Sequence, residues 1–196
     1  MRRPSGAAVR TVLGAAILLG IGSAVLTRLP TPDDITGAPF VLHGRIGEPA
    51  TLRTGVVTVT SVEASTQVVA LTGTAVSREG VFLVARVTWT ATPEPGPLTG
   101  ATLLARDGRT YETTSPVNST CIRAQTGIPI GCAVPFEVPK DALEGAELIV
   151  PADPGGAVAG DQELHIDLGI DAAVAAGLGA HTSPITLGEA VQGVGR

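Results

Sequence analysis

The sequence is poor in the residues that most often carry chemistry or bind nucleic acid. Its 196 residues include one lysine, one tryptophan, one tyrosine, two cysteines and three histidines, and only 16% are charged. Phosphate binding needs clustered Lys and Arg, so we predict no nucleic-acid partner. Hydrophobic residues reach 44% and the mean hydropathy is +0.34, which argues against a disordered, solvating chain.

Common catalytic and metal-binding motifs are also missing. His43, His165 and His181 lie too far apart in sequence for an H-x-x-x-H pair, and Cys121 and Cys132 do not form C-x-x-C. The sequence contains no G-x-S-x-G elbow and no phosphate-binding P-loop. We therefore predict no catalytic residue, no cofactor and no metal site, which argues against an enzyme.

The N-terminus carries the clearest signal. Residues 11–27 (TVLGAAILLGIGSAVLT) are uncharged and are bracketed by Arg10 and Arg28. As a helix this stretch would be about 25 Å long, close to the thickness of a bilayer core. It predicts an uncleaved transmembrane signal anchor within residues 1–28 that contacts the lipid bilayer. A cleaved signal peptide, with small residues at 22–24, remains the alternative.

The charge distribution predicts the orientation of this anchor. Three arginines precede the segment, whereas one arginine and then two aspartates follow it. The positive-inside rule places the N-terminus inside and residues 29–196 outside the cytoplasm. That part holds all 18 acids and nine of the 13 basic residues, a net charge of −9. The preference for Arg over Lys is typical of a GC-rich, actinobacterial genome.

After a Pro- and Asp-bearing linker at 29–39, residues 40–170 alternate apolar and polar side chains with a period of two, which predicts a mainly β fold. The best strand is Val81 to Ala91, and Asp107-Gly108 predicts a hairpin turn. The further expected strands are 40–45, 49–53, 56–62, 67–71, 102–105, 132–138, 147–150 and 163–170. Many short strands at regular spacing are typical of a β-sandwich.

Core and disulfide residues follow from this alternation. Trp89 lies on the apolar face of the best strand, and Cys132 and Phe136 share an inward face of a later one. The turn-rich residues between Cys121 and Cys132 allow the two cysteines to form a structural disulfide. The Ala- and Gly-rich tail at 171–196 is expected to be loosely packed or disordered, with a partner-binding segment as the alternative.

Three segments together resemble a known family. They are GVFLVARVTWTA, LLARDGRTYETT and GCAVPFEVPKDALEGAELIV. Over residues 40–170 the chain is similar to the bacterial extracytoplasmic immunoglobulin-like domains of unknown function. These occur on secreted proteins and lipoproteins of Gram-positive bacteria and are akin to a secreted mycobacterial antigen. The resemblance implies an immunoglobulin-like β-sandwich, and it supplies no catalytic residues.

The sequence supports one main functional hypothesis and two alternatives. The main one is a single-pass, membrane-anchored module outside the cytoplasm that binds a protein or envelope component through loops or an edge strand. The first alternative is an envelope hydrolase or ligand-processing enzyme whose site is assembled from distant strands. The second is a soluble sandwich secreted after cleavage of the signal peptide.

Overall fold

The structure, a computed structural model, describes residues 37–92, 94, 96–113, 121–122, 124–153 and 161–193. The predicted anchor and residues 29–36 of the linker lie outside this part. The chain divides into two units, Met1–Ala38 and Pro39–Arg196, and every described strand belongs to the second. No helix in the described ranges is long and apolar enough to cross a bilayer.

The described elements are mostly strands. In chain order they are β1 Phe40–Arg45, β2 Ala50–Leu52, β3 Gly55–Ser65, β4 Gln67–Ala70, β5 Gly73–Val76, β6 Val81–Ala91, β7 Thr102–Leu104, β8 Thr110–Glu112, β9 Ile130–Val138, a 3₁₀ turn at Lys140–Ala142, β10 Glu147–Pro151, β11 Gln162–Asp167, α1 Ala172–Ala180, β12 Ile185–Thr186 and β13 Val191–Gln192.

Two five-stranded sheets form the sandwich. The first sheet has the order β1-β11-β10-β7-β8, and the second has the order β13-β9-β6-β3-β2. In the first sheet β1 runs parallel to β11, whereas the β11–β10, β10–β7 and β7–β8 pairs are antiparallel. The β7–β8 hairpin turns at Asp107-Gly108, where Gly108 has a φ of 88°. The predicted sandwich class, β6 and this hairpin are confirmed.

One large hydrophobic core lies between the two sheets. β6 contributes most to it because Val81, Leu83, Ala85, Val87 and Trp89 alternate toward the first sheet. From the first sheet, β7, β10 and β11 supply apolar side chains at every second position, Leu103, Leu148, Val150, Leu164 and Ile166. Period-two burial of β-branched and aliphatic residues therefore positions all the central strands.

A third, smaller sheet covers the other face of the second sheet. Its order is β12-β4-β5, and β12 runs parallel to β4. It buries a second cluster of side chains, Val68, Phe82, Val84, Ala133, Ile185 and Leu187. Phe82 and Val84 of β6 point away from the main core, and they pack under this sheet instead of facing water.

The C-terminal segment is ordered instead of loose. Asp171 accepts a hydrogen bond from Val174 N–H at 2.8 Å, as an N-cap of α1. Beyond α1 the chain adds β12 to the third sheet and β13 to β9 of the second. The Arg86 guanidinium donates to the Thr186 and Leu187 carbonyls at 2.9 and 3.1 Å. The prediction of a disordered tail is therefore wrong for residues 171–193.

Candidate functional site

The outer face of the first sheet brings together four polar side chains, which we call the histidine face: His43, Glu147, Glu163 and His165. His43 on β1 and His165 on β11 are direct partners in the parallel register. Glu147 lies on the neighbouring strand β10. These residues face outward because the residues that alternate with them in β10 and β11 point into the core.

His165 is held between two carboxylates. Its Nδ1 lies 3.2 Å from Glu147 Oε2, and its Nε2 lies 2.8 Å from Glu163 Oε1. The side chain of His165 is only 17% exposed. A carboxylate only accepts hydrogen bonds, so a neutral imidazole can satisfy one of these contacts and an imidazolium satisfies both. The ring of His43 meets it edge-on, with the centroids 5.9 Å apart.

The outward position of His165 follows from its alternation with Leu164 and Ile166, but the sequence does not reveal its neighbours. The two histidines lie far apart in the sequence, and only the parallel pairing of the first described strand with a late one makes them adjacent. Within the described residues, no set of three or more His, Cys, Asp or Glu side chains is arranged as the ligand sphere of a metal ion.

Strand β1 lies at the edge of the first sheet. The Phe40 N–H donates to the Asp161 carbonyl, and the Ile46 N–H donates to the Asp167 carbonyl, both at 2.9 Å. Backbone groups of successive strand residues point to opposite edges. The even-numbered residues of β1 therefore direct their backbone groups toward β11.

The odd-numbered residues of β1 direct their backbone N–H and carbonyl groups to the outer edge of the sheet, where no strand of the described residues pairs with them. The Arg45 carbonyl is not free, because it accepts a hydrogen bond from the Glu48 N–H at 3.1 Å. The outer edge therefore offers both backbone groups of Val41 and His43 and the N–H of Arg45. Two apolar side chains at this edge are also exposed, Phe40 at 72% and Val41 at 44%.

An open cleft of about 470 Å³ lies at one end of the sandwich. The cleft is lined by the apolar residues Trp89, Leu98 and Val150 and by the charged residues Arg53 and Glu94. Its volume is in the range of small-molecule sites. No Ser, His or Cys is among the described residues that line it, and its side-chain hydroxyls come from Thr54, Thr92 and Thr99.

Beside the cleft, Arg53 joins the two sheets by an ion pair. Its Nε donates to Asp161 Oδ1 and Oδ2 at 2.7 and 2.9 Å, and its backbone N–H donates to Gln162 Oε1 at 2.6 Å. The hydrogen bonds from Arg53, and a further one from the Gln162 N–H, hold the pKa of Asp161 below its usual value. The Asp161 carboxylate thus links the turn after β2 to the start of β11.

This ion pair predicts an acid-dependent loss of stability. Because the pKa of Asp161 is lower in the folded state, its contribution is complete above the unfolded-state pKa of about 4. The contribution is lost as the pH falls through the folded-state pKa. We expect Asp161→Asn to be less stable than wild type at neutral pH and the difference to shrink toward zero on acidification. Denaturant unfolding across this pH range measures it.

The matched control for this prediction is the exposed Glu79, which forms no ion pair with any residue that the structure describes. Glu79→Gln should follow the wild-type curve at every pH. A stability difference between Asp161→Asn and wild type that stays constant down to strongly acidic pH would show that the Asp161 charge plays no part.

The residues predicted for core and disulfide roles lie together in the sandwich. Trp89 and Phe136 are both buried in the main core. Cys121 and Cys132 are joined by a disulfide with a Cα–Cα distance of 5.5 Å, and the Cys132 side chain faces the same core. These residues stabilise the fold, and none of them belongs to the histidine face.

The chain has few similarities to known proteins. The sequence matches no protein-family model and no curated protein. Among solved structures, the chain is similar to an uncharacterized beta-sandwich protein from Clostridium difficile 630. The TM-score is 0.39, the identity is 14%, and the match covers 67% of this chain and 96% of that one. The chain's own sheets define its class, a mainly β sandwich domain.

Proposed function

We propose that the protein is a non-catalytic binding module of the immunoglobulin-like kind, anchored in the cell membrane through residues 11–27 and exposed outside the cytoplasm. The observation that carries this proposal is the open edge of β1. An extended segment of a partner protein can add to such an edge as an extra strand. Backbone hydrogen bonds then give affinity, and the side chains beside the new strand give specificity.

The length of the available edge suits such an interaction. Val41 and His43 each offer an N–H and a carbonyl, and Arg45 adds an N–H, which supports a short antiparallel pairing. The partner strand would also cover Phe40 and Val41, whose apolar side chains are exposed. Natural edge strands that are not used for binding commonly carry charges, prolines or bulges that block pairing. β1 has only Arg45 as a charged residue and contains no proline.

The charge of Arg45 favours a particular partner chemistry. Arg45 makes no ion pair with any other residue that the structure describes. Its register partner Asp167 accepts the Gly169 N–H at 2.8 Å. We therefore expect the added strand to place an acidic residue opposite Arg45 and an apolar residue opposite Val41.

A second copy of the chain fits this edge less well. Antiparallel pairing of two β1 strands around His43 would place each Arg45 opposite a Val41 and would leave both guanidinium groups without an acid. The domain also carries a strong negative net charge, which opposes self-association. The proposal accordingly commits to a different protein as the partner.

Photo-crosslinking on intact cells tests this function. Phe40 on β1 and Leu71 in the turn between β4 and β5 are matched exposed positions, at 72% and 76%. With p-benzoylphenylalanine at position 40 we expect a discrete crosslinked product in the membrane fraction that protease added outside the cell degrades. The Val41→Pro change removes an outward N–H from the edge and should abolish the product without unfolding the domain.

The same reagent at position 71 should give no such product. The proposal fails if position 40 forms no product, or if Val41→Pro leaves it unchanged while the fold is intact. Recovery of the protein only in the medium, with a mature start near residues 22–29, would show that the signal peptide is cleaved and that the protein is secreted instead of membrane-anchored.

A further inference from the structure

The histidine face lies directly beside the edge that is proposed to bind a partner strand. Val41, His43 and Arg45 of β1 share this outer face, and a strand added to the edge would place its side chains about 5 Å from theirs. Strand β11, which carries Glu163 and His165, would lie one strand spacing further, about 10 Å from the added strand. The charges on the histidine face therefore act on any partner that pairs with β1.

Apart from the histidines, the charged groups of this region are mostly acidic. They lie on the outer face of β1, β10 and β11 and are Arg45, Glu147, Glu163 and Asp167. One positive and three negative charges give a net charge of −2 when both histidines are neutral. Histidine side chains change their charge between about pH 5 and about pH 8. Protonation of both His43 and His165 brings the net charge of this region to zero.

The contacts of His165 are fully satisfied only by the protonated ring. Its Nδ1 lies 3.2 Å from Glu147 Oε2 and its Nε2 lies 2.8 Å from Glu163 Oε1, so both ring nitrogens face a carboxylate oxygen. A neutral ring has one N–H and directs the lone pair of its other nitrogen at a carboxylate, which only accepts hydrogen bonds. Protonation completes both hydrogen bonds and offsets the charge of one of the two carboxylates.

His43 is exposed and forms no ion pair with the residues that the structure describes. Its ring meets the ring of His165 edge-on, Arg45 is its next outward neighbour along β1, and Glu163 and Asp167 of β11 lie diagonally from it in the register. Opposite charges that face each other on paired strands attract. An acidic partner residue, which Arg45 already favours, would therefore gain a second positive neighbour when His43 is protonated.

We propose that the histidine face is a pH-sensitive switch for the strand-binding edge. Acidification strengthens the binding of an acidic partner strand to β1, because His43 and His165 become positively charged. This inference rests on the proposed function and concerns its regulation. His43 contributes most because it lies next to the added strand, whereas the charge of His165 is about 10 Å away and is partly screened by salt. Exposed charge pairs of this kind change affinity by about twofold to fivefold.

The crosslinked product formed with p-benzoylphenylalanine at position 40 measures the occupancy of the edge. We expect its yield on intact cells to rise about threefold when the external pH is lowered from about 7.5 to about 5.5. His43→Gln should remove most of this rise, and its thermal unfolding midpoint should stay unchanged because the side chain is exposed. Glu163→Gln should raise the yield at the higher pH, because it removes one negative charge and its amide can donate to the neutral ring of His165.

His181→Gln is the matched control, because His181 is the remaining histidine of the sequence and lies at the C-terminal end of α1, outside the histidine face. This variant should keep the full rise. Equal yields at both pH values without any histidine change would overturn the inference and leave the proposed function standing. A full rise in His43→Gln would also overturn it, because the titrating group would then belong to the partner. Absence of the product at both pH values would overturn the proposed function, and this inference with it.

Discussion

Replacing Trp89 with alanine is expected to lower the free energy of unfolding by about 3–5 kcal/mol, as for other large truncations in a core. Trp89 is 3% exposed, and its Nε1–H donates to the Gly96 carbonyl at 2.9 Å. Its ring also lies against Gly55, where any Cβ would collide with it. The alanine variant thus loses apolar burial and leaves the Gly96 carbonyl without this donor.

Denaturant unfolding followed by circular dichroism measures this effect. Val76→Ala is the control, because Val76 is an exposed apolar residue and surface truncations usually change stability by less than about 0.5 kcal/mol. Fluorescence gives a second test in the unmodified protein, since the emission reports one tryptophan. Red-shifted, readily quenched emission from the folded protein would contradict the buried position of Trp89.

Removing the disulfide is expected to have the next largest effect. Replacing Cys121 and Cys132 together with alanine should lower the free energy of unfolding by about 2–3 kcal/mol, because the open loop regains conformational freedom in the unfolded state. Both cysteines are buried beside the main core, so the fold itself should persist. The shift in the unfolding midpoint, compared with wild type under non-reducing conditions, measures the contribution.

Alkylation without reduction provides the chemical check. Protein exported by its host should show no labelled thiol by mass spectrometry, because the two cysteines are paired and the described residues include no free cysteine. Two freely alkylated thiols would rule out the disulfide in the cell and would also remove support for an oxidising compartment.

The central strands were predictable because their burial is periodic. β6 begins and ends where the alternation of Val81 to Ala91 predicts, and β1 matches its predicted range as well. β5, β12 and β13 were not predicted, and β8 was predicted only as the second strand of the Asp107-Gly108 hairpin. β12 and β13 have two residues each, and such short runs carry too little periodicity to be recognised. Their pairing depends on long-range backbone contacts.

The structure of the C-terminal segment was also not predictable from its local sequence. Its glycines argue against a stable helix by local propensity, and α1 nevertheless forms. Gly179 is buried and lies against Lys140 and Leu143, so α1 packs onto the sandwich at this position. Tertiary packing therefore decides the structure of this segment, and the local sequence does not reveal it.

The histidine face could not be predicted because its parts come from distant strands. The outward position of His165 follows from the alternation of β11, yet the sequence does not reveal that β1 pairs with β11 in parallel. Hairpins are the pairings that turn motifs indicate, whereas a parallel neighbour requires a long crossover. The edge position of β1 was unpredictable for the same reason.

The parallel pairing of β1 with β11 also sets the order in which the protein can be assembled. β1 is the first described strand to leave the ribosome, and its partner β11 follows more than a hundred residues later. Contacts between such distant segments close late and slow the folding of a domain. Until β11 is synthesised, β1 has both edges unpaired, so newly made chains pass through an aggregation-prone stage that a truncation before residue 162 would make permanent.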